Sequence, residues 1–171
     1  MKKMNLVSTR EDLIKELEEL YEKKTRMGMQ GLEMFGDDCA PMITIVDVKR
    51  NEYEIPLIAP IGSNDIEVKN EIAAKVAKIL KKKKGLVFIG VGDGWSTHLN
   101  EGEPIPPFLL KSDPKLFEIF YASIDSMVLK KMKIWKIQRN EKGERIFPLG
   151  EPAWTDEDYF SKYTGNYFKG C

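Results

Sequence analysis

The segment Gly90-Val91-Gly92-Asp93-Gly94-Trp95-Ser96-Thr97-His98 concentrates the residue types that could do chemistry in this chain of 171 residues. Glycine at the end of a buried strand lets backbone amides approach a ligand closely. Asp93 is placed to act as a general base or to orient His98, and Trp95 to stack on a flat ligand. Gly92, Asp93, Trp95, Ser96 and His98 are therefore the candidate ligand-binding residues. The same letters also describe a plain bend, with the glycines turning the chain and Trp95 filling the core beneath it. Two phosphate-binding readings fail. A dinucleotide fingerprint needs a helix opening at its second glycine, and Pro104, Pro106 and Pro107 arrive first. A P-loop needs Gly-Lys-Ser or Gly-Lys-Thr, which does not follow.

A second constellation is Asp47-Val48-Lys49. Strand alternation would put Asp47 and Lys49 on one face, as in a restriction-type nuclease site, where carboxylates hold magnesium and a lysine steadies the attacking water. Asp37 or Asp38 would supply the further carboxylate. The competing reading is an exposed strand end with ordinary charges. Cys39 with His98 as base would make a nucleophile, against which stands the common behaviour of free cysteine as a small buried hydrophobe. One histidine and two cysteines exclude paired-histidine metalloprotease sites, zinc sites and a disulfide framework. Cys171 lacks the three following residues of a prenylation box. No cofactor is indicated, magnesium entering only with the nuclease or hydrolase alternative.

The elements that must hold these residues can be read from periodicity. Ser8-Thr9-Arg10-Glu11 forms a capping box, and Leu13, Leu17, Leu20 and Tyr21 share a face, predicting a helix over 9–24 that ends before Met27-Gly28-Met29-Gln30-Gly31. Residues 42–48 are rich in β-branched side chains and read as a strand, with a turn at 49–52 and a return over 53–59, where Pro56 demands an edge. Asn64 and Glu67 resemble a capping pair for a helix over 64–84, whose Val68, Ile72, Val76, Ile79 and Leu80 form an apolar stripe and whose Lys81 to Lys84 suit the negative end of the helix dipole. That lysine run reads as a solvated helix end, with a phosphate-binding patch as the alternative. The apolar run 86–91 follows as a strand buried on both faces, so strand, helix and strand make a crossover with the second strand parallel to the first.

A connection over 100–114 carries four prolines. Beyond it, 116–124 and 128–138 read as strands of a meander, with a helix over 114–122 as the alternative. Asn140 to Gly143 make a turn into a short strand at 145–147. The last eighteen residues hold six aromatic side chains, Trp154, Tyr159, Phe160, Tyr163, Tyr167 and Phe168. Thr155 and Asp158 would cap a short helix there, and so aromatic a tail must dock on its own domain or on a second subunit.

The strand-helix-strand unit, the Asp93-Gly94-Trp95 bend, the proline-rich loop into Ser112-Asp113-Pro114 and the meander ending near Gly143 resemble uncharacterised small α/β proteins of phage and prophage type over about residues 42–150. Asp93 stands where those proteins more often carry glutamate. The resemblance implies the architecture and a mobile-element origin, and it transfers no catalytic residue.

Hydrophobic residues at 42% and charged ones at 32% suit a soluble core, and 27 basic side chains balance 27 acidic ones. No overall field draws the chain to nucleic acid or to an anionic membrane. No apolar run approaches a membrane span, and the N-terminus turns polar too soon for a signal peptide, so a cytoplasmic protein is expected. The expectation is a single α/β (α+β) domain over 1–171, with a mixed sheet of five to six strands, the 64–84 helix on one face and the first helix or the tail on the other. The function expected is binding of an unidentified protein or small-molecule ligand, with homo-oligomerisation through the tail as one route. The alternative is a metal-dependent phosphodiesterase, nuclease or hydrolase using Asp93 and His98 or Asp47 and Lys49.

Overall fold

The computed structural model describes residues 9–36, 39–56, 66–97 and 116–156, with the backbone alone at 66–70, 72, 73, 96, 97 and 156. Helix α1 spans Arg10–Phe35. Its cap is Thr9, one residue beyond the expected Ser8: Thr9 Oγ1 accepts from the Asp12 amide at 3.1 Å while Asp12 Oδ2 accepts from the Thr9 amide at 3.0 Å. The helix also runs eleven residues past its expected end at Lys24, straight through both glycines. A Cβ on Gly28 would lie 3.1 Å from Val91 and Phe120, and one on Gly31 3.1 Å from Cys39 Sγ. The glycines that lower helix propensity are what let the helix backbone lie close on the sheet, and packing outweighs a penalty of about 1 kcal/mol for each.

Six strands follow the order β2-β1-β3-β4-β5-β6: β1 (Met42–Asp47), β2 (Glu52–Pro56), β3 (Gly85–Thr97), β4 (Leu116–Ser126), β5 (Lys130–Lys136) and β6 (Trp154–Asp156). Helix α2 (Ile66–Lys83) connects β2 to β3. Every described pairing is antiparallel. The crossover exists, and β2 and β3 run the same way, but β1 lies between them. The β1–β2 hairpin forms on one side of β1 and leaves its other side to β3. Pro56 ends the edge strand β2, opposite Met42, as its missing donor requires. The single-domain α+β class stands.

Alternation along the strands builds two cores. On one face Leu17, Tyr21 and Leu32 of α1 pack on Val46, Val87, Ile89, Val91, Phe120, Ala122, Ile124 and Trp135. The Tyr21 hydroxyl donates to the Ala122 carbonyl at 3.0 Å, so its burial leaves no unsatisfied polar atom there. On the other face Val76 and Leu80 of α2 pack on Ile43, Ile45 and Phe88. The expected burial of Val76 and Leu80 is met, while the Ile72 side chain lies outside the described residues. No helix among the described residues is long and apolar enough to cross a membrane.

The meander reading holds over 116–136, and the helix alternative fails where it is described, because Leu116 to Ala122 pair with β3 and most of that stretch with β5 as well. The Ser126 hydroxyl closes the β4–β5 turn, accepting from the Val128 and Leu129 amides and donating to the Leu129 carbonyl. Asn140 Oδ1 closes the next turn by accepting from the amides of Lys142 and Glu144. The short strand expected at 145–147 contracts to a single bridge between Arg139 and Arg145. Thr155 caps no helix: Trp154–Asp156 is β6, pairing with Met132 to Ile134. Trp154 keeps 38% of its surface exposed, less enclosed than an anchor should be. The remaining tail aromatics, Asn64, Asp65 and the proline-rich loop lie outside the described residues.

Candidate functional site

The glycine-rich segment is a strand, correcting the bend. Strand β3 continues through Thr97, and each residue from Val87 to Thr97 has a partner on β4. Gly92 is required by close approach: a Cβ there would lie 2.5 Å from the Pro41 Cβ. The segment expected to cradle a ligand is instead ladder strand on its β4 side, and Pro41 occupies the space beside Gly92.

Alternation puts Asp93 and Trp95 on the α1 face, with Glu118 directly opposite Trp95 on β4. There the turn at Asn140 to Gly143 delivers two arginines. Arg145 Nη2 lies 2.8 Å from Asp93 Oδ2 and also bonds Glu118 Oε1, which Arg145 Nε reaches at 2.9 Å. Arg139 holds the same carboxylate through Nε to Oε2 at 2.9 Å and Nη2 to Oε1 at 3.0 Å. Arg139 Nη1 closes the unit on the Gly143 carbonyl at 2.7 Å. Among the described residues two carboxylates meet two guanidiniums, and the centre is enclosed, with the Glu118 side chain 6% and the Arg145 side chain 9% exposed. Burial opposes the charge on Arg145, but the bonds and fields of Glu118 and Asp93 outweigh it and raise its pKa. Asp93 is thereby committed to an ion pair with Arg145 rather than aimed at a substrate.

Cys39 sits beside this cluster. Burial raises its thiol pKa, the Asp93 charge raises it further, and Arg145 opposes, with a net upward shift. A thiol held above its ordinary range is a poor nucleophile at neutral pH. His98, its expected base, lies outside the described residues, as does the Ser96 side chain, although the Ser96 backbone pairs with Phe117. Trp95 is 47% exposed, so it does not fill a core.

The second constellation is also structural. Asp47 is buried and organises the β1–β2 turn: Oδ1 accepts from the amides of Lys49 and Asn51 at 2.8 and 2.9 Å, and Oδ2 from Asn51 Nδ2 and the Tyr53 hydroxyl at 2.8 and 3.1 Å. Lys49 stands in the turn, so strand alternation does not align it with Asp47. Asp37 and Asp38 lie outside the described residues. Among those described, no group of three or more His, Cys, Asp or Glu is placed to hold a metal ion.

Two carboxyls carry opposite pH signatures. The Asn51 side-chain bond, with amides and the Tyr53 hydroxyl behind it, holds the Asp47 carboxyl at about 2. Its stabilisation is complete above its unfolded pKa near 4 and is lost as pH falls through 2. Burial pushes Asp125 up to about 6, with Lys130 pulling partly back. The folded state then binds the Asp125 proton more tightly, so stability falls as pH rises from about 4 to 6 and stays lowered above. Asp125→Asn should therefore raise the melting temperature at pH 7 by a few degrees, for a gain of about 1 kcal/mol after solvent screening, and change nothing at pH 4. Thermal melts of both proteins across pH 3–8 check the convergence.

Glu118, Arg139 and Arg145 were not legible as a site in the sequence. The available signal was a glutamate between Phe117 and Ile119 in an apolar strand, with two arginines flanking one turn. Compared with protein-family models, with curated proteins and with solved structures, the chain matches none.

Proposed function

We propose that this protein is a non-enzymatic binding module of mobile-element descent, which engages a protein or small-molecule partner through the end of the sheet that carries Trp95. The observation that carries this reading is the contrast at that end between charged groups turned inward on one another and a large aromatic side chain that keeps 47% of its surface exposed. Asp93 and Glu118 are closed by Arg145 and Arg139. Trp95 follows directly on the same face with 47% of its surface exposed. The last turns of α1 lead to the same end, since Gly28 touches Val91 and Gly31 touches Cys39 beside Asp93. They present Met34 at 74% and Phe35 at 61% exposure, and Ile146 is exposed next to Arg145. An exposed tryptophan with other exposed apolar side chains toward the same end of the sheet has the composition of a binding hot spot.

The test uses the apolar fluorophore anilinonaphthalene sulfonate on a protein carrying Trp135→Phe and Trp154→Phe, so that Trp95 alone emits. The folded protein should bind the dye and transfer Trp95 emission to it. Trp95→Ala in the otherwise unchanged chain should weaken dye binding about tenfold, as loss of a hot spot does, with stability held within about 0.5 kcal/mol. Dye binding unaffected by Trp95→Ala would overturn the assignment of the surface. Magnesium-dependent hydrolysis of bis(p-nitrophenyl) phosphate that disappears in Asp93→Asn or Asp47→Asn would overturn the non-enzymatic reading in favour of the hydrolase.

A further inference from the structure

The opposite end of the sheet carries a run of lysines that form no ion pair among the described residues. Lys75, Lys78, Lys81, Lys82, Lys83 and Lys84 are all exposed along the second half of α2 and its end. The register sets the β1–β2 turn beside them, because Asp47 pairs with Gly85, and exposed Lys49 lies in that turn. Lysines against the α1 face are matched: Lys24 with Glu52 and Glu54 at 2.7 and 2.6 Å, Lys131 with Glu18 at 3.8 Å and Lys133 with Glu22 at 2.7 Å. Among the described residues, none of Lys75, Lys78, Lys81, Lys82 and Lys84 is in an ion pair, and Lys83 lies 4.3 Å over the Tyr53 ring. Strand alternation puts Glu52 and Glu54 on the α1 face, where Lys24 pairs with both, and Asp47 is taken up by its own turn. A chain neutral overall has therefore sorted its charge, and one helix flank is basic.

We propose that this flank of α2, with Lys49, is a second binding surface, and that its occupant is the phosphate backbone of double-stranded nucleic acid. A duplex offers one negative charge per about 1.7 Å of axis, the density that a row of mobile ammonium groups neutralises. The row from Lys75 to Lys82 spans about 10 Å at 1.5 Å per residue, close to the width of a major groove of about 12 Å. An anionic membrane fits less well, since a helix that lies in a bilayer must insert an apolar face, and Val76 and Leu80 are buried against Ile43, Ile45 and Phe88. The exposed described side chains of this flank are lysine, alanine and Glu71, with no arginine or amide to read base edges, so binding is independent of sequence.

The test is fluorescence anisotropy of a labelled 20-base-pair DNA duplex with the full chain, the variant K75Q/K78Q/K81Q/K82Q, and a control removing four exposed α1 charges, R10Q/K15Q/K23Q/R26Q. Thermal melting verifies that each remains folded. At about 50 mM salt the α2 variant should bind at least tenfold more weakly, and its slope of log affinity against log salt should fall by about 0.9 for each lost phosphate contact, while the control should bind within about twofold of the parent. Two unrelated duplex sequences should bind alike. Absence of duplex binding at this salt, an equal loss in the control, or tighter binding to phosphatidylserine vesicles than to duplex would each overturn the proposal. None of these outcomes depends on Trp95, so this surface and the one at the other end stand or fall separately.

Discussion

Glu118→Ala should destabilise the folded chain by about 3 to 5 kcal/mol, the usual cost of removing one partner from a buried ion pair. Glu118 accepts bonds from both Arg139 and Arg145. Deleting its carboxylate takes from Arg145, enclosed at 9% side-chain exposure, the partner that holds it at both Nε and Nη2. The cost includes leaving an enclosed guanidinium without the carboxylate that held two of its nitrogens. Arg139→Gln tests that account, because the Arg139 side chain is 40% exposed and its loss should cost no more than about 1 kcal/mol. Urea unfolding of the parent and both variants measures the difference. At 2 to 4 °C per kcal/mol, Glu118→Ala should also melt about 10 °C lower. Equal and small losses in the two variants would show that the network does not close as described.

The same cluster shows where reading from sequence succeeds and where it stops. Local signals were sufficient for α2, whose Val76, Ile79 and Leu80 recur at helical spacing, and for 87–91, buried on both faces, while Leu86 at the start of the run is exposed. They misled at Gly28 and Gly31, because a break and a close helix-to-sheet contact use the same residue, and only Val91, Phe120 and Cys39 on the far side distinguish them. They misled again at Gly90 to Thr97, where glycine lowers strand propensity but β4 supplies a partner for every residue. Thr155 looked like a cap until Lys133 took it into a strand pair. The arginine cluster joins Asp93, Glu118, Arg139 and Arg145 across separations of up to 52 residues, which no spacing rule reaches. Asp93 and Trp95 were legible as chemical groups, but the setting of each had to come from the fold: Arg145 on Asp93, and for Trp95 a strand position that keeps 47% of its surface exposed.

The largest loss should come from Val76→Asp. Val76 is buried with Leu80 and the strand residues Ile43, Ile45 and Phe88, which are the described buried residues of this core, with Tyr53, Ile55 and Ile79 packed around it. None of the side chains of this core offers a cation, so a carboxylate there would be both desolvated and unpaired, at a cost of several kcal/mol against a net stability typical of domains, about 5 to 15 kcal/mol. The two cores meet through β1 and β3, whose alternate residues serve one face and then the other. Loss of the α2 face should therefore not be confined to α2. Trp135, buried on the α1 face, should report the same transition, with its emission shifting red together with loss of helical circular dichroism. Val76→Ala is the companion variant. It leaves a small cavity without a charge, and it should stay soluble with a loss of about 1 to 3 kcal/mol, which separates the effect of shape from that of charge. The charge effect also has a sign in pH. A carboxyl buried among Ile43, Ile45 and Phe88 has its pKa raised on folding, so the penalty on Val76→Asp should shrink toward that of Val76→Ala as pH falls below about 4. A Val76→Asp protein that is produced in normal yield and melts with the parent at pH 7 would mean that α2 does not pack on β1 and β3.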